Sequence, residues 1–362
     1  MVPSPSTAWC WRTITCFWDG ICVVTGLRYH IVQRVLITGG AGFIGSHLAE
    51  ALVTEGKEVF VIDDLSTGSI ANIAHLQANP KFHFVKGSIL NSDILQPAVD
   101  QADFIYHLAA AVGVELVVRS PVFTIEDNIR GTENVLTAAA KRKIGFLLTS
   151  TSEVYGKSEH DRFREDDDLL IGPPTFARWS YACSKLLDEF LALAYWRERK
   201  LPVFVVRLFN TVGPRQTGRY GMVVPRFVQA ALRDEPIVIH GDGKQTRCFC
   251  HVTDVVRALV ALPNQMRAVG QVYNIGSTEE VSIAELAHRV KRLTESQSEL
   301  RLIPYEQAYA KGFEDMRRRV PSTDKLYQLM GWRPTKSLDD ILRLMIEFQR
   351  DVDAQVLGGQ GN

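Results

Sequence analysis

"RVLITGGAGFIGSHLAEALVTEG", residues 34–56, decides the fold of this chain. "RVLIT" is a short β-branched strand, and "FIGSHLAEALVTEG" is an amphipathic helix closed by Gly56. Between them "TGGAGFIG" sets Gly39, Gly42 and Gly45 at a strand-to-helix turn. Glycines there let the backbone turn tightly and approach a pyrophosphate, which rests on the helix N-terminus. Such a glycine pattern alone is weak. With a strand before it and a helix after it, it marks a dinucleotide site. "EVFVID" comes next as a second strand and ends in Asp63 and Asp64. A carboxylate at that strand end accepts both hydroxyls of an adenosine ribose and repels a 2′-phosphate, so Asp63 selects NAD over NADP.

Working outward, "KFHFVKG", "ADFIYHLAA", "IGFLLTS" and "PVFVVRLFN" read as further strands. "VFTIEDNIRGTENVLTAAAKR" and "SYACSKLLDEFLALAYWRERK" read as the long helices among them. Alternation of this kind predicts an α/β fold, a doubly wound parallel Rossmann sheet covered on both faces. The expected boundaries are an NAD-binding domain over 34–209 and a smaller C-terminal α/β substrate lobe over 210–350. Some segments of that lobe return to the first domain. Residues 351–362 are expected to be a tail. Residues 1–33 carry three tryptophans and three cysteines without periodicity and read as a poorly ordered tail outside the fold. "VQRVLITGG" resembles a natural beginning, and no convincing signal peptide precedes it.

At 362 residues the chain can bury a large core. Lys+Arg and Asp+Glu both number 41, so no broad basic surface for nucleic acid or anionic membrane is implied. No apolar stretch is long enough to span a bilayer. None of the six cysteines forms a CxxC, and none has zinc spacing with histidine, so no metal is expected. Reduced thiols in a cytoplasmic enzyme are the plainer reading.

"YACSK" puts Tyr181 and Lys185 at i and i+4 on one helix face. A lysine ammonium beside a phenol lowers its pKa, and with the Thr151 hydroxyl this makes a base for oxidising an alcohol to a ketone. A Tyr-x-x-x-Lys pair alone is usually structural. Downstream of a dinucleotide loop and a hydroxyl-rich strand end, it reads as catalytic.

With these motifs in hand, the sequence resembles the extended short-chain dehydrogenase/reductase family, particularly its nucleotide-sugar enzymes. "TGGAGFIGSHL", "HLAA", "TSTSEVYG", "YACSK", "RLFNTVGPR", "GDGKQTRCF" and "GWRP" fall in the family's order over about residues 34 to 350. The resemblance implies a Rossmann lobe, tightly held NAD, a nucleotide-sugar substrate and commonly a homodimer through two helices per subunit. Phe43, Ile44, Leu108 and Ala109 then join Gly39, Gly42, Gly45, Asp63, Tyr181 and Lys185 around NAD. Asn210, Arg226 and Arg247 are implied at the diphosphate of a UDP sugar, with Arg178, Ser152 and Phe313 also on the substrate.

Members of this family oxidise the sugar at C4 and then diverge. A 4-epimerase returns the hydride to the other face and needs no base at C5. A 4,6-dehydratase and a glucuronate decarboxylase act at C5 and C6, where a glutamate at the position of Glu153 is useful. dTDP-glucose dehydratases carry an aspartate before that glutamate, whereas this chain has Ser152. "FREDDDLLIGPPTFARWSYACSKLLD" and "KGFEDMRRRVPS" resemble UDP-glucuronate decarboxylases, and Arg319 matches the arginine those enzymes keep near the reacting carboxylate. The alternative for Arg319 is a solvated basic run from Arg317 to Arg319. The chain departs from those decarboxylases at Val117 and at Phe313, where tyrosines occur, and at Ser88, where an aspartate near the adenine is common. UDP-glucuronate decarboxylation is the first expectation, ahead of 4-epimerisation and 4,6-dehydration.

Overall fold

The computed structural model describes residues 14–16, 22–24, 32–113, 117, 119–218, 222–308 and 316–358. Seven strands form one wholly parallel sheet: β1 (Arg34–Thr38), β2 (Glu58–Asp63), β3 (Phe82–Lys86), β4 (Phe104–His107), β5 (Gly145–Thr151), β6 (Val203–Leu208) and β7 (Gln271–Ile275). Their spatial order is β7-β6-β5-β4-β1-β2-β3, with Val35 paired to Val59 on one side and to Phe104 on the other. The winding reverses between β1 and β4, so the crevice at their carboxyl ends is the place for a ligand.

Alternate residues of each strand supply the two faces. Val35 and Ile37 pack with helices α1 (Phe43–Thr54) and α6 (Val252–Ala261), and with α8 (Asp324–Met330). Leu36, Phe60 and Ile62 pack with α2 (Ser92–Gln101), α3 (Pro121–Arg142) and α4 (Trp179–Arg199) on the other face. Strand β7 and helices α6 and α8 come from the C-terminal half, so that part of the chain builds both lobes.

The smaller lobe has its own core, made by α5 (Val223–Leu232), α7 (Ile283–Thr294) and α9 (Leu338–Gly358) around the parallel pair Ile237–His240 and Leu300–Ile303. Helix α9 runs past the boundary expected at 350, because "DVDAQVL" continues helical sequence until Gly358. In the N-terminal segment Ile14–Cys16 pairs antiparallel with Cys22–Val24, a pairing that the segment's lack of strand periodicity did not announce. Most of the expected tail lies outside the described residues. Among those described, no helix is long and apolar enough to cross a membrane.

Candidate active site

A cleft of about 530 Å³ opens along the carboxyl ends of the sheet and continues between the two lobes. Its first half is built by the glycine turn. Gly39 has φ +74°, and a Cβ there would meet the Ala109 amide nitrogen at 2.7 Å. A Cβ on Gly45 would reach the Gly39 carbonyl oxygen at 2.2 Å, so only hydrogen lets α1 start this close to β1. Gly42 is the N-cap of α1 and contributes no side-chain cap, and no acid stands in the first turn. The amides and positive end of the helix dipole are thus available to an anion.

Asp63 ends β2 nearly buried, with its carboxylate accepting from the Ala41 amide at 2.9 Å and the Leu65 amide at 2.8 Å. Burial raises its pKa above the usual carboxylate value, while those amides oppose the shift. Phe43, Ile44, Leu108 and Ala109 line the same half, as do Val117 and Ser88. These residues fit a dinucleotide: a backbone cradle that any side chain would fill, an uncapped helix start, and an acid at the end of the next strand.

In the second half, β5 is buried through Leu148 and delivers Thr151 to the cleft. There the chain enters a single 3-10 turn, Ser152–Tyr155, opened when the Glu153 amide donates to Thr151 Oγ1 at 3.2 Å. Glu153 is thereby turned into the cleft. Arg319 comes from far along the chain to meet it, with Nη1 3.5 Å from Glu153 Oε1 and 3.4 Å from Ser152 Oγ. The basic run is split. Arg318 is more exposed and pairs with Asp161 and Glu280, whereas Arg319 is largely enclosed in the cleft wall.

Tyr181 opens onto the cleft from the first turns of α4, but Lys185 does not line it. The ammonium of Lys185 donates to Asp188 Oδ2 at 2.9 Å, and both side chains are buried. The sequence reading sets this ammonium beside the Tyr181 phenol to lower its pKa; here its ion pair is with Asp188. Enclosure by protein raises the phenol, and the Glu153 and Asp188 carboxylates push it further. Burial also raises Asp188, against the pull of the lysine.

Sequence reading missed Asp188 and the buried chain beside it, in which His107 bonds Thr132 at 3.0 Å and Thr38 at 2.7 Å. Burial, aided by the Lys185 charge, lowers His107 to about 3, so this ring is neutral. "HLAA" was the available signal for it. Asn128 was missed as well: its Oδ1 accepts from the Ala111 amide at 2.8 Å, and its Nδ2 donates to Ser184 on α4 at 3.1 Å.

Arg178, Asn210, Arg226 and Arg247 all line the cleft. Asn210 Nδ2 donates to the Cys248 carbonyl at 2.9 Å, and Arg226 Nη2 donates to His240 Nε2 at 3.3 Å. With burial, the Arg226 charge lowers the His240 pKa, so this end stays basic through its arginines alone. Such a gathering in a chain of zero net charge suits a diphosphate. Burial pushes the Cys248 thiol up to about 12, as expected of a packed thiol. Phe313 lies outside the described residues.

A dinucleotide cradle, a tyrosine on the helix beside it and an arginine-lined second half define an NAD-dependent enzyme acting on an anionic, nucleotide-linked substrate. The family model described as GDP-mannose 4,6 dehydratase matches residues 36–345. A UDP-N-acetyl-alpha-D-glucosaminuronate decarboxylase from Bacillus cytotoxicus is 42% identical over 322 residues, covering 89% of this chain and 99% of that one. UDP-glucuronic acid decarboxylase 1 from Danio rerio is 36% identical over 89% of this chain and 74% of its own. The solved UDP-glucuronic acid 4-epimerase from Bacillus cereus, in complex with UDP-glucuronic acid and NAD, superposes with a TM-score of 0.80 at 29% identity, covering 88% of this chain and 99% of that one. The chain belongs to the GDP-mannose 4,6-dehydratase family, within the extended short-chain dehydrogenases/reductases, and is an NAD-dependent nucleotide-sugar enzyme.

Proposed function

We propose that this enzyme decarboxylates a UDP-linked hexuronate through a 4-keto intermediate. The observation that carries the reading is the facing of Glu153 and Arg319 beside Thr151 and Tyr181. Tyr181, helped by Thr151, takes the O4 proton as the C4 hydride departs. NAD, which the glycine turn and Asp63 would hold, would supply the hydride acceptor for C4 and the donor that restores it. The resulting β-keto acid breaks its C5–C6 bond, CO2 leaves, and the electron pair remains as an enolate across C4 and C5. Arg319 orients the carboxylate beforehand, and Glu153 passes a proton to C5 afterwards. Tyr181 gives its proton back to O4 as hydride returns to C4. The sum is hexuronate plus one proton to pentose plus CO2.

UDP-glucuronate is the first substrate to test. Its 2-acetamido analogue is the second reading, favoured by the name of the 42% identical relative. Asn210, Arg226 and Arg247 would hold the diphosphate, and Arg178 and Ser152 the sugar. Purified enzyme is incubated with both uronates, UDP-glucose and UDP-galactose, and products are read by mass. Loss of CO2 supports the reading. Loss of water or an unchanged mass with inverted C4 would replace it with dehydration or epimerisation.

A homodimer is part of the proposal. Val122 and Phe123 on α3 and Leu187 and Phe190 on α4 are exposed, the last at 60%, on two helices that pack side by side. An apolar surface on two adjacent helices suits a second copy of the same pair. A cytoplasmic setting accords with the unpaired Cys183, Cys248 and Cys250.

A further inference from the structure

Asn274 on β7 is fully buried and outside the cleft lining, yet it touches every segment that carries the C5/C6 machinery. Tyr155, which ends the turn bearing Glu153, donates its hydroxyl to Asn274 Oδ1 at 2.8 Å. Asn274 Nδ2 donates to the carbonyls of Phe163 at 2.9 Å and Ser322 at 3.3 Å. Those two residues belong to segments that hold each other. The Phe163 amide donates to Val320 O and the Ser322 amide to Phe163 O, both at 2.8 Å. Val320 is the residue next to Arg319. The Asn274 backbone amide donates to Glu165 Oε1 at 2.8 Å, fixing the first segment again.

We infer that Asn274 is the positioning residue that sets Arg319 against Glu153, because its one carboxamide ties the turn carrying the acid to the bridged segments carrying the arginine. The role rests on the decarboxylase reading. Only an amide meets all three contacts: one acceptor for the tyrosine and two donors for the carbonyls. Aspartate would turn an oxygen toward two carbonyl oxygens. The Tyr181 end is anchored by Glu189 of α4, which takes both a bidentate pair with Arg207 and the hydroxyl of Ser150. Arg207 also donates to the Glu165 carbonyl at 3.2 Å and lies over the Tyr155 ring, contacts that do not involve the Asn274 carboxamide. Disturbing Asn274 should therefore spare C4 oxidation and spoil the decarboxylation and C5 protonation that depend on Arg319 and Glu153.

The test uses the NAD-loaded enzyme and UDP-hexuronate in single turnovers, monitoring NADH absorbance and CO2 together. Tyr155→Phe keeps the ring stacked on Phe163 at 4.7 Å and leaves Asn274 Oδ1 without its donor. Asn274→Asp attacks the other two contacts. In both, CO2 release should fall about 10- to 100-fold while NADH forms within about twofold of the unmutated rate, as expected when a reacting pair is misplaced by about 1 Å. Reduced cofactor and 4-keto sugar would then accumulate. Equal losses in the two signals, or an unchanged ratio between them, would overturn the assignment. If Asn274→Asp does not fold, Tyr155→Phe decides alone. An unmutated enzyme that releases no CO2 would overturn the decarboxylase reading itself. CO2 from that enzyme with an unaltered ratio in the variants rejects only the role of Asn274.

Discussion

Glu153→Gln separates the two halves of the chemistry most sharply. Glutamine keeps the shape of the side chain, so Arg319 can still lie 3.5 Å from an amide oxygen. What is lost is a unit charge and a proton carrier. At 3.5 Å the gross attraction of the pair is about 5 kcal/mol under the screening typical near a protein surface. Removing water from both groups cancels most of it, and the partners keep 11% and 17% exposure. The net cost to stability should be about 1 kcal/mol, a fall in Tm of about 2 °C for a chain of this size. The effect on rate is larger. A positioned proton donor is worth about 100- to 10,000-fold, or about 3 to 5 kcal/mol of barrier. Oxidation at C4 should respond in the opposite sense. The Glu153 charge helps to hold the Tyr181 phenol high, so its removal lowers that pKa. A base works only when unprotonated, so the acid limb of the pH profile for NADH formation should move to lower pH. Stopped-flow absorbance and CO2 trapping on the NAD-loaded variant read both steps. NADH reoxidation at the unmutated rate after CO2 release, or an acid limb moved to higher pH, would refute the reasoning.

Four further outcomes are expected. Tyr181→Phe keeps the ring and removes the proton acceptor, so NAD and nucleotide sugar should bind while NADH formation falls about 100- to 10,000-fold in a single-turnover assay. Asp63→Ala should relax the preference for NAD over NADP by about tenfold or more, equivalent to about 1.4 kcal/mol, in a calorimetric titration of both. Asp188→Asn strips the carboxylate from a fully buried pair with Lys185, and chemical denaturation should report a loss of about 3 kcal/mol. Phe190→Glu places a charge on the exposed face of α4, and light scattering after gel filtration should find a monomer that still binds NAD.

The cofactor half of the site was legible because it is local. Strand, glycine turn and helix succeed one another within residues 34–56, and Asp63 comes at the end of the next strand. Each is specified by period and steric need rather than by distant partners. The hydroxyl-rich end of β5 was legible for the same reason. Asp188 was not, because an acid three residues after a lysine on a helix usually marks a solvated pair, and nothing local says that this face is buried against α3. Asn274 was less visible still. "YNIG" reads as the end of a strand, and the groups it serves lie at Tyr155, Phe163 and Ser322, in three separate stretches of chain.

That difference in legibility mirrors the division of labour in the cleft. C4 oxidation needs a base and a cofactor, and both are carried by elements of the parallel sheet, whose packing is fixed by continuous apolar strands and the helices on them. The choice among epimerisation, dehydration and decarboxylation needs groups at C5 and C6. The groups proposed for them stand on a single 3-10 turn and on an irregular segment held by a bridge between Phe163 and Pro321 and by a few hydrogen bonds such as that from the Thr246 amide to the Arg317 carbonyl. A parallel sheet cannot slide without exposing buried apolar residues, whereas a turn and a bridge can be re-set by a few hydrogen bonds. Glu153→Gln and Tyr155→Phe should therefore stall the steps after C4 oxidation while NADH still forms, whereas Tyr181→Phe stops everything, and that contrast tests the division directly.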